Sequence, residues 1–325
     1  MSAKIITGAQ AIQEALDEEM ERDSSIFIFG EDVGSLGGRR GATTGLFKKY
    51  GHRRVIDTPI NEELFLGIAI GAAQTGLRPV VEFGHGTFVT IDLNNIRRAG
   101  IWDWVSGFKL KTPILIRVKW GSDGLGHELS SSPLSSILNH LGLTIVAPSN
   151  PRQLKGLIKY ALRGDKPVII LEHGDLYEKK GEVPRDDCVF PVGSAEYRRR
   201  GDHISVVAYS LYVDIVEEAA NSLLKDGIDV EILDLISLDP LDQKKILETS
   251  RKNKKVLIID EEPGGGALAM KLYATIKQEY PETVVSWLSP LATPLPFGPF
   301  GKTVIKKDQL VLAIKKLLKK PAKAD

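Results

Sequence analysis

Short runs of β-branched and apolar residues alternate with helical patterns along the chain, and the alternation occurs in two series. The first series comprises SIFIFGED, RPVVEF, TPILIRVKW, LTIVAPS and KPVIILEHGD, and the second comprises HISVVAYS, DVEILDL and KVLIIDEEP. Intervening segments such as PRQLKGLIKYALR repeat apolar residues with the spacing of amphipathic helices. Strands that alternate with helices predict parallel sheets covered on both faces. We therefore expect an α/β protein with two such units.

The chain has 325 residues, which is enough for two domains of ordinary size. Between the two series lies YEKKGEVPRDDCVFPVGSAEYRRRGD, residues 177–202, which is charged and rich in proline and glycine. Such composition is typical of a linker. We place the boundary near residue 190 and predict domains at 1–190 and 191–325.

Composition excludes several classes of protein. A formal net charge of +1 argues against a nucleic-acid partner. A single cysteine, Cys188, excludes an internal disulfide framework and a cysteine-based zinc site. No apolar run approaches the roughly 20 residues needed to span a bilayer, and the first residues lack the pattern of a signal peptide. We expect a cytoplasmic protein without a membrane partner.

The segment VIDTPINEELFLGIAIGAAQTG, residues 55–76, predicts an unusually apolar helix. Asn61 supplies a cap at its start and Gly76 ends it. Because the residues after the first turn leave no polar face, we expect burial on all sides. Gly67 and Gly71 share one face and allow another backbone to approach closely. A helix from another subunit is the expected cover.

Two adjacent carboxylates, Glu62 and Glu63, occupy the first turn of this helix. The helix dipole favours their ionised form there, whereas burial raises the pKa of a carboxyl group. A carboxyl balanced in this way can share a proton with a basic ring nitrogen. Alternatively, both carboxylates simply interact with the helix N-terminus. Residue types alone leave these alternatives open.

The motifs VIDTPINE, GEDVG and GLRPVVEF resemble those of a known family, and the resemblance continues through LGLTIVAPSNPRQLKGLIKYALRGDKPVIILE and DVEILDLISLDPLD to SPLATPLPFGPF. The family is the beta subunit of thiamine-diphosphate-dependent 2-oxo acid dehydrogenases, the decarboxylating component of the pyruvate, branched-chain and acetoin systems. The resemblance covers nearly the whole chain. It implies a transketolase-like pyrimidine-binding domain at 1–190 and a transketolase C-terminal domain in the remainder.

The resemblance also implies roles for particular residues. Glu62 matches the glutamate that activates the cofactor by hydrogen-bonding its aminopyrimidine ring, which promotes removal of the thiazolium proton. Phe88 matches the aromatic residue that packs against the aminopyrimidine, and Gly84, where the loop of Phe88 begins, is a further predicted cofactor-binding residue. Glu31 matches an acid proposed to join a proton path between paired active sites. Glu63 has no counterpart in this chemistry.

One signature of the superfamily is absent. The chain has no GDG followed some 25–30 residues later by an Asn-Asn pair, the motif that holds Mg²⁺ and diphosphate; SDG at 122–124 predicts a turn. Another chain must therefore supply the hard oxygen ligands, and the resemblance implies an alpha subunit in an α2β2 assembly. ALRGDKPV resembles a segment that holds a structural K⁺ in relatives, although Gly164-Asp165-Lys166 departs from the usual pattern.

The family's substrate histidine, in an H-S-Q motif, has no clear equivalent. Counting back from GLTIVAPS places Leu129 at its position, and His127 takes that position only if the loop carries a two-residue insertion. His85, beside the cofactor aromatic, is a candidate substitute. Arg39-Arg40 and Lys119 also replace apolar or small residues of the family pattern, which suggests a more polar substrate funnel for an anionic or hydroxylated substrate.

Three functions are compatible with these observations. The first is a subunit that decarboxylates a 2-oxo acid and passes the acyl group to the lipoyl domain of an acyltransferase. The second is a transketolase-like or acyloin-forming carboligase that acts without lipoamide. The third is a non-catalytic scaffold, against which the retention of Glu62 and Phe88 argues.

Overall fold

The computed structural model describes residues 3–121, 124–298 and 305–321. Two residues of the turn predicted at 122–124, Ser122 and Asp123, lie outside the described part. No helix in the described ranges is both long and apolar enough to cross a bilayer.

The strands are β1 (Ala3–Thr7), β2 (Ile26–Gly30), β3 (Val55–Asp57), β4 (Arg78–Phe83), β5 (Leu115–Trp120), β6 (Thr144–Val146), β7 (Val168–His173), β8 (Lys180–Pro184), β9 (Glu196–Arg199), β10 (Ile204–Ala208), β11 (Val230–Asp234), β12 (Ser237–Asp239), β13 (Lys255–Ile259) and β14 (Val284–Leu288).

The helices are α1 (Gly8–Arg22), α2 (Leu46–Tyr50), α3 (Glu62–Gln74), α4 (Leu93–Val105), α5 (His127–Ser130), α6 (Leu134–Ile137), α7 (Pro151–Arg163), α8 (Tyr212–Leu224), α9 (Gln243–Asn253), α10 (Ala267–Glu279) and α11 (Lys307–Leu318). Local chemistry explains their starts: the Asn150 side chain accepts the Gln153 N–H at 3.0 Å, and proline occupies the first turn of α7.

The α/β expectation is confirmed. A seven-stranded sheet has the order β12-β6-β7-β5-β4-β2-β3, parallel except for β12. A five-stranded sheet has the order β14-β13-β10-β11-β9, parallel except for β9. On one face of the larger sheet, α1 and α7 pack over Val80, Leu115 and Ile170; on the other, α3 and α4 pack over Val81 and Ile116.

The segment predicted as a linker, 177–202, contains two strands. In this segment β8 pairs antiparallel with β1, and β9 pairs antiparallel with β11 at the edge of the smaller sheet. Charged residues are the usual protection of exposed strand edges, so edge strands and linkers have similar composition. The second half of the chain also contributes β12 to the larger sheet. The boundary near residue 190 stays a prediction.

In the single chain one side of α3 is open, and its cover by a helix of another subunit stays a prediction. Phe65 and Leu66 are buried, whereas Leu64 is 52% and Ile68 42% exposed. The exposed apolar face also carries Gly71, where an added side chain would meet nothing within 4 Å. An apolar face left open in this way marks an interaction surface.

Candidate active site

The carboxyl ends of β3, β2, β4 and β5 lie side by side along one edge of the larger sheet. Gly30 at the end of β2 pairs with Asp57 of β3 on one side and with Glu82 of β4 on the other. Glu31 therefore lies between the loop that leads to Glu62 and the loop that leads to Phe88. Ligands of open parallel sheets bind along this edge.

Asp57 connects the loop after β3 to the loop after β2 at this edge. Its carboxylate accepts the backbone N–H groups of Gly34 at 2.6 Å and Ser35 at 2.8 Å. Burial alone would raise the pKa of Asp57, but these two donors outweigh it and lower the pKa. A charged hydrogen-bond acceptor is thus held at the junction of the loops that carry Glu31 and Glu62.

Glu62 is the first residue of α3, directly after the capping Asn61, whose side chain accepts the Leu64 N–H at 3.2 Å. The Glu62 side chain is half-buried, and within the described residues it makes no hydrogen bond or ion pair. Nearby in the chain, Thr58 Oγ1 is buried without a hydrogen-bond partner in the described part. These groups can bind a polar ligand at the start of α3.

His85 and Phe88 contact each other edge to face, with ring centroids 5.4 Å apart. His85 Nδ1 lies 3.2 Å from the Leu129 carbonyl oxygen, which can only accept, so Nδ1 carries the hydrogen and Nε2 has the free lone pair. Burial and the charges of Arg39 and Lys119 lower the pKa of His85 to about 4. Near neutral pH His85 is therefore an uncharged acceptor.

His127 and Leu129, the other two candidates for the position of the family's substrate histidine, lie in α5. His127 is exposed, and its Nδ1 lies 3.5 Å from the Leu295 N–H. Leu129 is half-buried and contributes its carbonyl to His85. The fold thus brings His85, and the backbone of Leu129, to the loop that carries Phe88. Which residue replaces the family histidine stays a prediction.

Both halves of the chain match known domain families. Residues 4–180 match the transketolase pyrimidine binding domain, and residues 193–300 match the transketolase C-terminal domain. The chain is 40% identical over 318 residues to a pyruvate dehydrogenase E1 component subunit beta of Gracilaria tenuistipitata var. liui, covering 95% of this chain and 98% of that one. It belongs to the family of 2-oxo acid dehydrogenase E1 beta subunits.

Another relative supports the same family. The 2-oxoisovalerate dehydrogenase subunit beta of Bacillus subtilis is 38% identical over 306 residues, 93% of this chain and 94% of its own length. Among solved structures, a split-gene transketolase described as an inactive beta4 tetramer has a TM-score of 0.79 at 21% identity, covering 96% of this chain and 98% of that one. At that identity the likeness concerns the fold alone.

The candidate site fits one half of the thiamine diphosphate that enzymes of this family use. Glu62 offers a carboxyl group with no partner in the described part, and the half-buried Phe88 offers an aromatic face. A flat ring with polar edges needs both. For the charged half, the described residues contain no group of three His, Cys, Asp or Glu side chains that could hold a metal ion.

A buried ionic network below the E1 beta site was missed in the sequence. Arg117 donates from Nε to Glu172 at 2.8 Å and from Nη1 to Glu82, and the Tyr177 hydroxyl donates to Glu172. All four side chains are at least 97% buried. Alternation within LIRVKW, VVEF and VIILEH could have revealed it, because the charged residues occupy the same face of three adjacent strands.

A second polar contact joins α6 to the loop after β13. Glu262 accepts the Ser135 N–H at 2.7 Å and also its hydroxyl, while the Ala267 N–H donates to Ser135 Oγ at 2.9 Å. Burial and the nearby charge of Asp260 raise the pKa of Glu262 to about 7, although the Ser135 donors lower it.

This contact predicts a pH-dependent stability. The folded chain holds a proton on Glu262 up to about pH 7, whereas the unfolded chain releases it near 4.5. The unfolded state therefore binds fewer protons in this window, and the free energy of unfolding falls as pH rises from about 4.5 to 7. Glu262→Gln is expected to reduce that fall by up to ~3 kcal/mol, measured by urea unfolding between pH 5 and 8. Glu248→Gln, on the exposed face of α9, should keep the wild-type slope; identical slopes for both variants contradict the assignment.

Proposed function

We propose that this chain is the catalytic beta subunit of an E1 component that decarboxylates a 2-oxo acid and passes the acyl group to a lipoyl domain. The observation that carries the proposal is Glu62, a half-buried carboxyl without a partner in the described residues, at the edge that also presents Phe88. The family to which the chain belongs supports the same assignment.

Thiamine diphosphate, when bound, supplies the nucleophilic carbon and the electron sink that decarboxylation requires. Glu62, at the positive end of α3, would hydrogen-bond the aminopyrimidine nitrogen of this cofactor. Phe88 would pack against the face of the aminopyrimidine ring. His85 presents Nε2 as an acceptor at neutral pH, because Nδ1–H is committed to the Leu129 carbonyl.

We propose that an alpha subunit holds Mg²⁺ and the diphosphate, since the described residues of this chain offer no metal-binding cluster. The segment that resembles the K⁺-binding segment of relatives already has a cationic neighbour. Arg78 donates to the carbonyls of Leu162 at 3.2 Å and Gly164 at 2.5 Å, and to Asp165 at 3.1 Å. These contacts leave fewer carbonyl oxygens for K⁺ and argue against that ion here.

The α2β2 assembly has a candidate surface, the open face of α3 that carries Leu64, Ile68 and Gly71. Ile68→Asp is expected to prevent assembly with the alpha subunit or with a second beta subunit, because an aspartate in a packed apolar interface is a buried unpaired charge. Sedimentation analysis of the mixed subunits measures this. Leu312→Asp is the matched control, since Leu312 is a 68% exposed apolar residue of α11. Equal assembly by both variants removes the α3 face from the interface.

The function is tested by product analysis of the complex assembled with its alpha subunit, thiamine diphosphate and Mg²⁺. The complex is supplied with a panel of 2-oxo acids and ketoses, with and without lipoamide. Reductive acylation of lipoamide is the expected result. Acyloin formation that needs no lipoamide would instead identify a carboligase, the alternative that the altered histidine favours. Inertness towards every donor, with no bound cofactor, would identify a scaffold subunit.

A further inference from the structure

The strand β14 forms an open edge of the five-stranded sheet. It pairs in parallel with β13, and within the described residues no strand pairs with its other side. The N–H of Val284 and the carbonyl of Leu288 form hydrogen bonds on the β13 side, at 2.9 and 3.1 Å. Because successive residues of a strand direct their backbone groups to opposite sides, those of Val285 and Trp287 point away from β13. These two residues therefore offer N–H and C=O groups to an additional strand.

The composition of β14 gives this edge no protection against pairing. Its sequence, VVSWL, contains five residues and no charge. The opposite edge of the same sheet, β9, has the charged sequence EYRR, and the edge strands of the seven-stranded sheet, β3 and β12, contain three residues each. Folded proteins usually protect sheet edges with charged residues or short strands. Among these four edges, β14 is therefore the one that suits the addition of a strand from another chain.

A cavity lies beside β14 on each face of the sheet, since α10 and α11 cover opposite faces. Tyr273 and Val285 line a cavity of about 400 Å³ beside α10, and Ser286 and Leu317 line one of about 200 Å³ beside α11. Thr283 also lines the larger cavity, and its hydroxyl is buried without a hydrogen-bond partner in the described part. The side chains of an added strand alternate between the two faces, so they can enter both cavities.

Positive charge predominates around these cavities. Lys277 and Lys320 line the larger cavity, and Lys316 and Lys320 line the smaller one, whereas Glu282 is the one acidic residue among the described residues that line them. Within the described chain none of the three lysines pairs with a carboxylate, and Lys277 donates instead to two backbone carbonyls. Carboxylates of a bound segment would therefore meet ammonium groups that have no acidic partner.

We propose that β14 binds an extended, acidic segment of a partner protein, which adds a sixth strand to the five-stranded sheet. Val285 and Trp287 form backbone hydrogen bonds with this segment. Its side chains on one face enter the larger cavity, and its carboxylates on the other face pair with Lys316 and Lys320. The backbone bonds provide affinity, and the side chains provide specificity. This binding does not depend on the reaction that the active site catalyses.

The charges favour an acidic partner over a second copy of this chain. Two β14 strands paired about a two-fold axis would bring the lysines of both copies to the same seam, where like charges repel each other. Only Glu282 of each copy would oppose this repulsion among the residues that line the cavities. An acidic segment compensates the lysines instead, and its binding should weaken as salt screens the charges.

The test measures, by fluorescence anisotropy, the binding of a short labelled peptide of alternating glutamate and valine to the full-length chain and to its complex with the alpha subunit. This peptide should bind at least about tenfold more tightly than one with lysine in place of glutamate. Lys316→Gln/Lys320→Gln should weaken its binding about three- to tenfold. Lys307→Gln is the matched control and should bind as wild type, because Lys307 is an exposed lysine of α11 that lines neither cavity.

A second pair of measurements tests the backbone pairing. Val285→Pro removes one N–H that points away from β13, and proline is tolerated on an edge strand. It should lower the affinity for the glutamate peptide about tenfold. In wild type, saturating peptide should slow amide hydrogen exchange of Val285 and Trp287 about tenfold or more, a result that does not require the proline variant to fold. Equal binding of the glutamate and lysine peptides, or unchanged exchange at both amides, overturns the proposal.

Two further results would identify a different occupant and also overturn the proposal. If the full-length chain binds the glutamate peptide but the complex does not, the alpha subunit covers β14. If the purified chain self-associates in sedimentation analysis and Val285→Pro abolishes this association, a second copy occupies the edge. Binding of the peptide to the complex, without self-association through β14, is the expected result.

Discussion

Glu62→Gln is expected to slow exchange of the cofactor's C2 proton by about 10²- to 10⁴-fold, the usual contribution of a positioned general acid or base. Glutamine keeps the size of the side chain and can still accept a hydrogen bond. It cannot hold the proton that the aminopyrimidine nitrogen must share. The measurement is loss of the C2 proton signal in deuterium oxide, made on the assembled complex with bound thiamine diphosphate, so that failure of assembly is seen separately.

The adjacent residue supplies the control for this experiment. Glu63 is exposed, whereas Glu62 is half-buried, although both lie in the first turn of α3. Both side chains lie near the helix N-terminus, so the two substitutions change their interaction with the helix dipole in the same way. In Glu63→Gln the C2 proton of the cofactor should therefore exchange at the wild-type rate. Equal slowing by both variants would show a general electrostatic effect, and wild-type exchange in Glu62→Gln would remove Glu62 from catalysis.

The central strands could be predicted from the sequence because they are long and apolar. RPVVEF, TPILIRVKW and KPVIILEHGD coincide with β4, β5 and β7, which lie inside the larger sheet. The short strands β3 and β12 were not predicted, since three residues carry no detectable period, whereas the equally short β6 lies within the longer apolar run LTIVAPS. The edge strands β8 and β9 escaped because their charged residues resemble a linker. The apolar pattern of α3 does not distinguish a core from an interface with another chain, and in the single chain one side of this helix is exposed.

The candidate site was predicted only as separate motifs. The resemblance assigned Glu62, Phe88 and Glu31, and the sheet register shows that their loops leave adjacent strands. The hydrogen bond between His85 and the Leu129 carbonyl joins residues 44 positions apart, and no local pattern encodes it. The contact between the Arg39 side chain and Gly84 likewise depends on a loop that folds back over β4. Such contacts come from tertiary structure, which one sequence without an alignment does not reveal.

Arg117→Met is expected to lower the free energy of unfolding by about 3–5 kcal/mol, because it leaves the Glu82 and Glu172 carboxylates buried without their cation. Tyr177 still donates to Glu172, but one hydroxyl does not compensate a buried charge. One strand of the network, β4, leads to the loop of Phe88, so cofactor affinity should fall as well. Urea unfolding of the purified chain measures the change in stability.

Two further variants test whether the loss comes from unpaired charge. In Glu82→Gln/Arg117→Met/Glu172→Gln the network has no net charge, and most of the lost stability should return, since a buried ion pair contributes little relative to neutral groups of similar volume. Arg198→Met removes an arginine that pairs with Glu217 at 3.0 Å with both side chains partly exposed, and it should cost no more than about 1 kcal/mol. If the triple variant is as unstable as Arg117→Met, the arginine stabilises the sheet through packing of its side chain rather than through neutralisation of the two carboxylates.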